Sequence, residues 1–336
     1  MNRYEIPETR HAAVKVAVGI LRKAKQVILT THVNADADGA GCEAALLSFL
    51  GDVGVEAWIV NPTPFPANLR FMIDDERRIL DLASDETQDR CRKADLCVIV
   101  DVAERSRVGK VISLVDHLPT LVIDHHPVGS DVFDGPSLCD NTAAAAGELV
   151  FDLLWSEGRP WTRSMVDGLY VAMMTDTGSF RFSNVTSRVH RIIAELIERG
   201  ASPNELYRQV YGQVPLRRIR LLQEILSTLD VSADQRVAWI SVPAKVFRDL
   251  GCTWEDLDGM VDYPRELEGV EVGLLFRELE GRQVKISFRS NGVVDVNALA
   301  RSFSGGGHLR ASGALVNGSL DEVRERVVAR VIAAVA

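Results

Sequence analysis

The sequence predicts an α/β protein: an N-terminal domain built on a mostly parallel sheet flanked by helices, followed by a smaller C-terminal α/β domain. Three observations lead there. Short apolar runs at residues 27–30, 55–60, 96–100 and 121–123 alternate with helical patterns, as expected for strands buried on both faces. A charged helical tract near residues 206–230 separates this pattern from a second one. At 336 residues the chain also exceeds one ordinary core.

Taken in order, residues 1–25 carry Ala13, Val14, Val16, Ala17, Ile20 and Leu21 at helical spacing, which predicts a packed helix rather than a signal peptide. Strand 27–30 leads into a helix near 40–50 and a strand at 55–60. Two further strands, 96–100 and 121–123, each end abruptly in aspartate, and the sheet is expected to have four or five strands. After Asn141 the pattern turns helical, over 142–155, 163–174 and 187–199. The expected organisation is an N-terminal domain over 1–200, a helical connector over 201–232 and a C-terminal domain over 233–336. That last domain reads as strands at 237–242, 270–276 and 283–288 with a closing helix at 320–335.

Bulk properties narrow the function. No apolar run approaches the roughly 18 to 20 residues of a membrane span, so a soluble protein with no membrane partner is expected. Five cysteines without CxxC spacing fit neither a disulfide framework nor a zinc ribbon, and point to a reducing cytoplasm. A net charge of -9 argues against coating long duplex nucleic acid, which needs an excess of Lys and Arg. A homodimer is compatible with all of this.

The chemistry gathers at the strand ends. The stretch from Thr31 to Gly41 follows a strand and precedes a helix, and it carries His32, Asp36 and Asp38. The loops at the carboxyl ends of parallel strands are where open sheets bind ligands. An Asp-rich loop by itself is more often an ordinary turn or helix cap. Asp101 closes the next strand, however, and Asp124, His125 and His126 close another. A fourth apolar run, 169–175, helix or strand, stops at Asp176. Brought to one edge, five carboxylates and two or three imidazoles call for cations. Carboxylate with some imidazole and no thiolate suits manganese first and magnesium second. The ligands are too many for one ion and suit a pair sharing a bridging carboxylate, which is a phosphoester-hydrolysing arrangement.

These residues resemble the DHH phosphoesterase family, whose name-giving motif stands here as Asp124-His125-His126. His32-x3-Asp36-x-Asp38 resembles the family's first motif, Asp101 its second and Thr175-Asp176-Thr177-Gly178 its fourth. Phe288-Arg289-Ser290 and the run Gly305-Gly306-Gly307-His308-Leu309-Arg310-Ala311-Ser312-Gly313 resemble the DHHA1 subfamily's signature. Length and motif order most resemble the bacterial oligoribonuclease and pAp (3′-phosphoadenosine 5′-phosphate) phosphatase members. The resemblance implies that His32 and Asp36 hold one ion, that Asp38, His125 and Asp176 hold the other, and that Asp101 bridges. It further implies that Asp124 fixes an imidazole and that His126 either donates to the phosphate or the leaving oxygen, or only supports the groups that touch the metal. Arg289, Ser290, Gly305, Gly306, Gly307 and His308 would bind the nucleotide's phosphate. One departure is Ala35, where many members have proline; no ligand is lost by it.

The expected activity is therefore metal-dependent hydrolysis of short oligoribonucleotides, pAp or linear dinucleotides. A cyclic dinucleotide phosphodiesterase and a RecJ-like single-strand exonuclease share the chemistry. A non-catalytic RNA-binding module is the reading of another class.

Overall fold

The computed structural model describes residues 4–335 apart from 128, 130, 213 and 258. The chain divides into two compact units, residues 1–213 and 214–336.

In the first unit, α1 (Glu8–Leu21) precedes β1 (Gln26–Thr30), α2 (Ala37–Asp52), β2 (Glu56–Val60), β3 (Ile79–Leu80), α3 (Asp85–Lys93), β4 (Leu96–Val100), α4 (Ile112–Val115), β5 (Thr120–Asp124) and β6 (Ser137–Cys139). Four helices follow: α5 (Ala146–Ser156), α6 (Arg163–Asp176), α7 (Ser187–Glu198) and α8 (Pro203–Tyr211). The sheet has strand order β3-β2-β1-β4-β5-β6, with every neighbouring pair parallel. Side chains alternate across it. Leu29, Val98, Val100, Leu121 and Ile123 join the core beneath α2, α5 and α6. Ile28, Cys97, Ile99 and Val122 point to the opposite core with Val108, Val111 and Val115. Both faces are covered, which is why these strands are apolar throughout.

The sheet has six strands where four or five were expected. The two additions, β3 and β6, span two and three residues, too short to show any periodicity. The helix expected from residue 142 starts at Ala146, because 140–145 form a turn closed by the Asp140 side chain, which accepts from the backbone and hydroxyl of Thr142. The run 169–176 is helical and belongs to α6, whose first turn is capped by the Thr162 hydroxyl.

Glycine sets how closely α2 and α6 approach. A Cβ at Gly41 would stand 2.3 Å from the Gly168 carbonyl oxygen, and one at Gly168 would stand 2.5 Å from that of Gly41. The two backbones therefore touch directly, bringing the start of α2, with Asp38, to the side of the sheet where α6 delivers Asp176.

The second unit contains α9 (Leu216–Leu226), β7 (Asp230–Val231), β8 (Val237–Val242), α10 (Ala244–Asp249), α11 (Asp262–Arg265), β9 (Val272–Leu279), β10 (Gln283–Ser290), α12 (Val296–Arg301), β11 (Gly306–Gly307), β12 (Ala311–Asn317) and α13 (Leu320–Val335). Its sheet runs β11-β12-β10-β9-β8-β7, and only the β8/β9 pair is parallel. Val323, Val327 and Val331 of α13 pack on Phe276, Ile286 and Phe288 in its core. Leu206 of α8 is buried in the first unit's core, and Leu221 and Ile225 of α9 in the second's. Among the described residues no helix is long and apolar enough to cross a membrane.

Candidate metal centre

The strand order reverses beside β1, between β2 on one side and β4 on the other, and open sheets bind ligands at the carboxyl ends of strands at such a point. His32 and Asp36 follow β1, Asp101 follows β4, Asp124 ends β5 and Asp176 ends α6.

Each side chain has a local reason for its direction. Asp36 caps α2: its Oδ1 accepts from the amides of Asp38 (3.0 Å) and Gly39 (3.2 Å), while Oδ2 lies 3.6 Å from His32 Nε2. Asp38 is clasped by the amides at the start of α5, Oδ2 accepting from Ala146 at 2.6 Å and Oδ1 from Gly147 at 2.9 Å. These are orphan donors at a helix N-terminus, which suit a carboxylate. Asp101 takes the left-handed conformation, φ 59°, just past its strand, which short polar side chains tolerate. His32 Nδ1 donates to the Val33 carbonyl at 2.9 Å, and His125 Nδ1 faces the Ala143 carbonyl at 3.4 Å, so both present Nε2 to the carboxylates. His126 Nδ1 donates to Asp124 Oδ1 at 2.8 Å, and the same oxygen accepts the His126 amide.

The result is two groups around one carboxylate. His32, Asp36 and Asp101 form one, and Asp38, His125 and Asp176 form another; Asp101 also meets His125 and His126. Asp101 Oδ2 is 3.4 Å from His32 Nε2, and its Oδ1 is 3.5 Å from His125 Nε2. His125 Nε2 also lies 3.7 Å from Asp38 and 3.4 Å from Asp176.

The electrostatics are those of a crowded anionic site. Burial works against a charged His32, but hydrogen bonding to Asp101 and Asp36 raises it to about 10. His125, likewise desolvated, is raised to about 10 by Asp101, Asp38 and Asp176. Burial, together with the charges of Asp101 and Asp176, pushes Asp38 well above the usual carboxylate range. Asp176 stands at the carboxyl end of α6, the wrong end of the helix dipole for an anion, and burial with Asp101 and Asp36 pushes it up to about 6 against the pull of His125. Asp101 Oδ1 is buried and, among the described residues, has no hydrogen-bond partner. A buried orphan acceptor is costly, and carboxylate and imidazole are the donors hard and borderline divalent cations take. The residues fit a metal site.

Behind the centre lies a group that the strand-end motifs do not announce. Arg10, only 2% exposed, donates Nε to Asp140 at 2.6 Å, and Nη1 to Glu148 at 2.8 Å and Asp152 at 2.9 Å. Arg188 also donates to Glu148, and the Tyr4 hydroxyl to Asp152. This network ties α1 to α5, whose first amides hold Asp38. Its sequence signal was available: Arg10, Val14, Ala17 and Leu21 share the buried stripe of α1, and a charge on an apolar stripe demands partners. On the sheet side, Asn61 accepts from the Thr31 amide and donates to buried Glu43, fixing the backbone just before His32.

In the second unit, half-buried Arg289 donates to its neighbour's carbonyl, that of Phe288, at 3.0 Å. Ser290 is buried and donates to Glu271 Oε1, which also receives the amides of Gly292, Val293 and Val294. Gly306 and Gly307 pair with β12 as a strand. A Cβ at Gly305 would stand 2.1 Å from the Gly313 carbonyl, and Gly307 has φ 145°, so glycine is required at both. His308 is exposed, its amide donating to Ala311 across the hairpin turn.

Two families match the chain: the N-terminal domain of the DHH family over residues 26–173 and the DHHA1 domain over residues 237–336. The bifunctional oligoribonuclease and PAP phosphatase NrnA of Thermus thermophilus is 33% identical over 332 residues, covering 96% of this chain and 94% of that protein. The chain belongs to the DHH family and carries a DHHA1 domain. The Bacillus subtilis protein of the same description is 28% identical, covering 90% of this chain and 92% of that one. Among solved structures, an exopolyphosphatase-related protein from Bacteroides fragilis superimposes with a TM-score of 0.87 at 27% identity, over 95% of this chain and 96% of that one.

Proposed function

We propose that this DHH-family chain is a two-metal phosphoesterase that hydrolyses short oligoribonucleotides, and pAp or linear dinucleotides, to mononucleotides. The observation that carries the reading is the Asp101 carboxylate, with one oxygen toward His32 and the other toward His125. The full-length likeness to oligoribonuclease and PAP phosphatase relatives supports the same substrates.

In this reading His32 and Asp36 hold one cation, Asp38, His125 and Asp176 the other, and Asp101 both, with manganese preferred. Bound there, a pair of cations would supply acidified water and would offset negative charge on phosphate oxygens. The α5 amides keep Asp38 in place, and the carbonyls of Val33 and Ala143 keep each ligand imidazole turned toward the carboxylates. Asp124 holds His126 by its Nδ1, and as an imidazolium the ring would donate from Nε2 to the phosphate or the leaving oxygen. Arg289 and His308 bind the nucleotide's terminal phosphate through charge-assisted hydrogen bonds, aided by the Gly305, Gly306 and Gly307 backbone, while the Ser290 hydroxyl, donated to Glu271, holds the separate turn at 291–294 in shape.

The test is a panel: purified chain with Mn²⁺ is given pAp, short RNA, linear and cyclic dinucleotides, and single-stranded DNA. Turnover of pAp or of two- to five-residue RNA is expected. Turnover of none, with metal bound, refutes the reading.

A further inference from the structure

The segment after Asp176 is built against local preference. Gly178, Ser179 and Phe180 all have positive φ, 56°, 56° and 66°. Only glycine adopts this region freely, and a phenylalanine there is an outlier. Strained backbone persists only where its surroundings over-determine it, and here they do. The Thr177 carbonyl accepts from the amides of Arg181 and Phe182, and the Thr177 hydroxyl from the amide of Phe180. Arg181 Nε donates to the Gly178 carbonyl, and Asn184 Nδ2 to the carbonyl of Asp176 itself.

The strained turn sends two neighbouring aromatics opposite ways. Phe180 turns inward, edge-on to Tyr170 at 6.2 Å and beside His190 at 5.8 Å. Phe182 is 54% exposed, the one exposed phenylalanine among the described residues. Its ring lies against Gly178, where an added Cβ would meet Phe182 Cε1 and Cζ at 2.4 Å. Phe182 therefore adds little to the core, yet its setting is tightly defined. It rests on Gly178, which lies two residues, or at most about 7.6 Å of chain, beyond Asp176.

An aromatic ring, backed on one side and open on the other, suits a planar aromatic ligand. Nucleobases stack on such rings whatever their sequence, because each has a π face. We propose that Phe182 is a stacking platform for the base of the nucleotide whose phosphate lies at the Asp176 cluster, an inference that rests on the hydrolase reading above for its substrate class. It would make the centre prefer nucleotides to simple phosphoesters while leaving base identity loosely read.

The experiment compares wild type, Phe182→Ala and Phe182→Trp in two measurements. The first is kcat/KM for pAp relative to its base-free counterpart, ribose 3′,5′-bisphosphate. The second is calorimetric binding of AMP relative to ribose 5-phosphate in Mn²⁺. Phe182→Ala is expected to lower both preferences about tenfold or more, as stacked bases elsewhere show, and Phe182→Trp to restore them. Equal preferences in wild type and Phe182→Ala overturn the inference. If the wild type hydrolyses nothing in the panel but its AMP preference still depends on Phe182, the hydrolase reading fails and the stacking stands. Normal turnover with unchanged AMP preference sinks the stacking alone.

Discussion

Replacing Arg10 by methionine tests whether the buried network behind the centre supports it. The change keeps an apolar stem and removes a guanidinium that meets Asp140, Glu148 and Asp152 at 2.6 to 2.9 Å. Breaking a buried ion cluster from one side costs about 3–5 kcal/mol, since the remaining charges lose their counter-ion. Each carboxylate here keeps another donor: Asp140 has Thr142, Glu148 has Arg188 and the Ala144 amide, and Asp152 has Tyr4. The lower end, about 3 kcal/mol, is therefore expected, which for a unit of this size lowers Tm by roughly 6–12 °C. Scanning calorimetry of the chelator-treated chain reads it. A second effect follows from geometry: Asp140 and α5 carry the Ala143 carbonyl and the amides that hold His125 and Asp38. Metal affinity should fall more at the Asp38, His125 and Asp176 group than at the His32 and Asp36 group. Arg10→Lys keeps the charge without the planar fork and should fall between. A Tm within about 2 °C of wild type in Arg10→Met, well short of the drop that about 3 kcal/mol predicts, would refute the assignment.

Metal binding should expel protons. Neighbouring carboxylates raise His32 and His125 to about 10 without metal, and an imidazole must be neutral to ligate. The protonated, metal-free state is favoured as pH falls, so apparent Mn²⁺ affinity should rise with pH through the neutral range. Titration in two buffers of different ionisation enthalpy counts the protons, about two being expected from the imidazoles at neutral pH; no release contradicts the ligand roles. In the second unit, Arg289→Ala should raise KM for pAp at least severalfold while metal content stays that of wild type, as for a charge-assisted phosphate contact. An unaltered KM on every nucleotide tried excludes it.

The first sheet was legible because its strands are buried on both faces and end where chemistry begins: Val100 gives way to Asp101, and Ile123 to Asp124. Periodicity failed where elements were too short, as in β3 and β6, or where small residues hide alternation. In β12, Ser312, Ala314 and Val316 alternate inward while Leu315 faces outward, so the stretch read as a glycine signature rather than a strand. The six metal-ligand candidates were visible because they interrupt apolar runs. Arg10 was not read: its place on the buried stripe of α1 signals a need for partners, but those partners, Asp140, Glu148 and Asp152, lie 130 or more residues away and cannot be named locally. The outward turn of Phe182 was equally hidden: two phenylalanines two residues apart look alike until the backbone after Asp176 is known.

Elemental analysis of the Mn²⁺-loaded chain, wild type beside Asp101→Asn, addresses the proposed two-ion centre most directly. Two manganese ions per wild-type chain are expected, with loss of at least one ion and a fall in turnover of more than about 10²-fold in the variant. A wild type that binds no divalent metal, or an Asp101→Asn chain that keeps both ions and full activity, would contradict it.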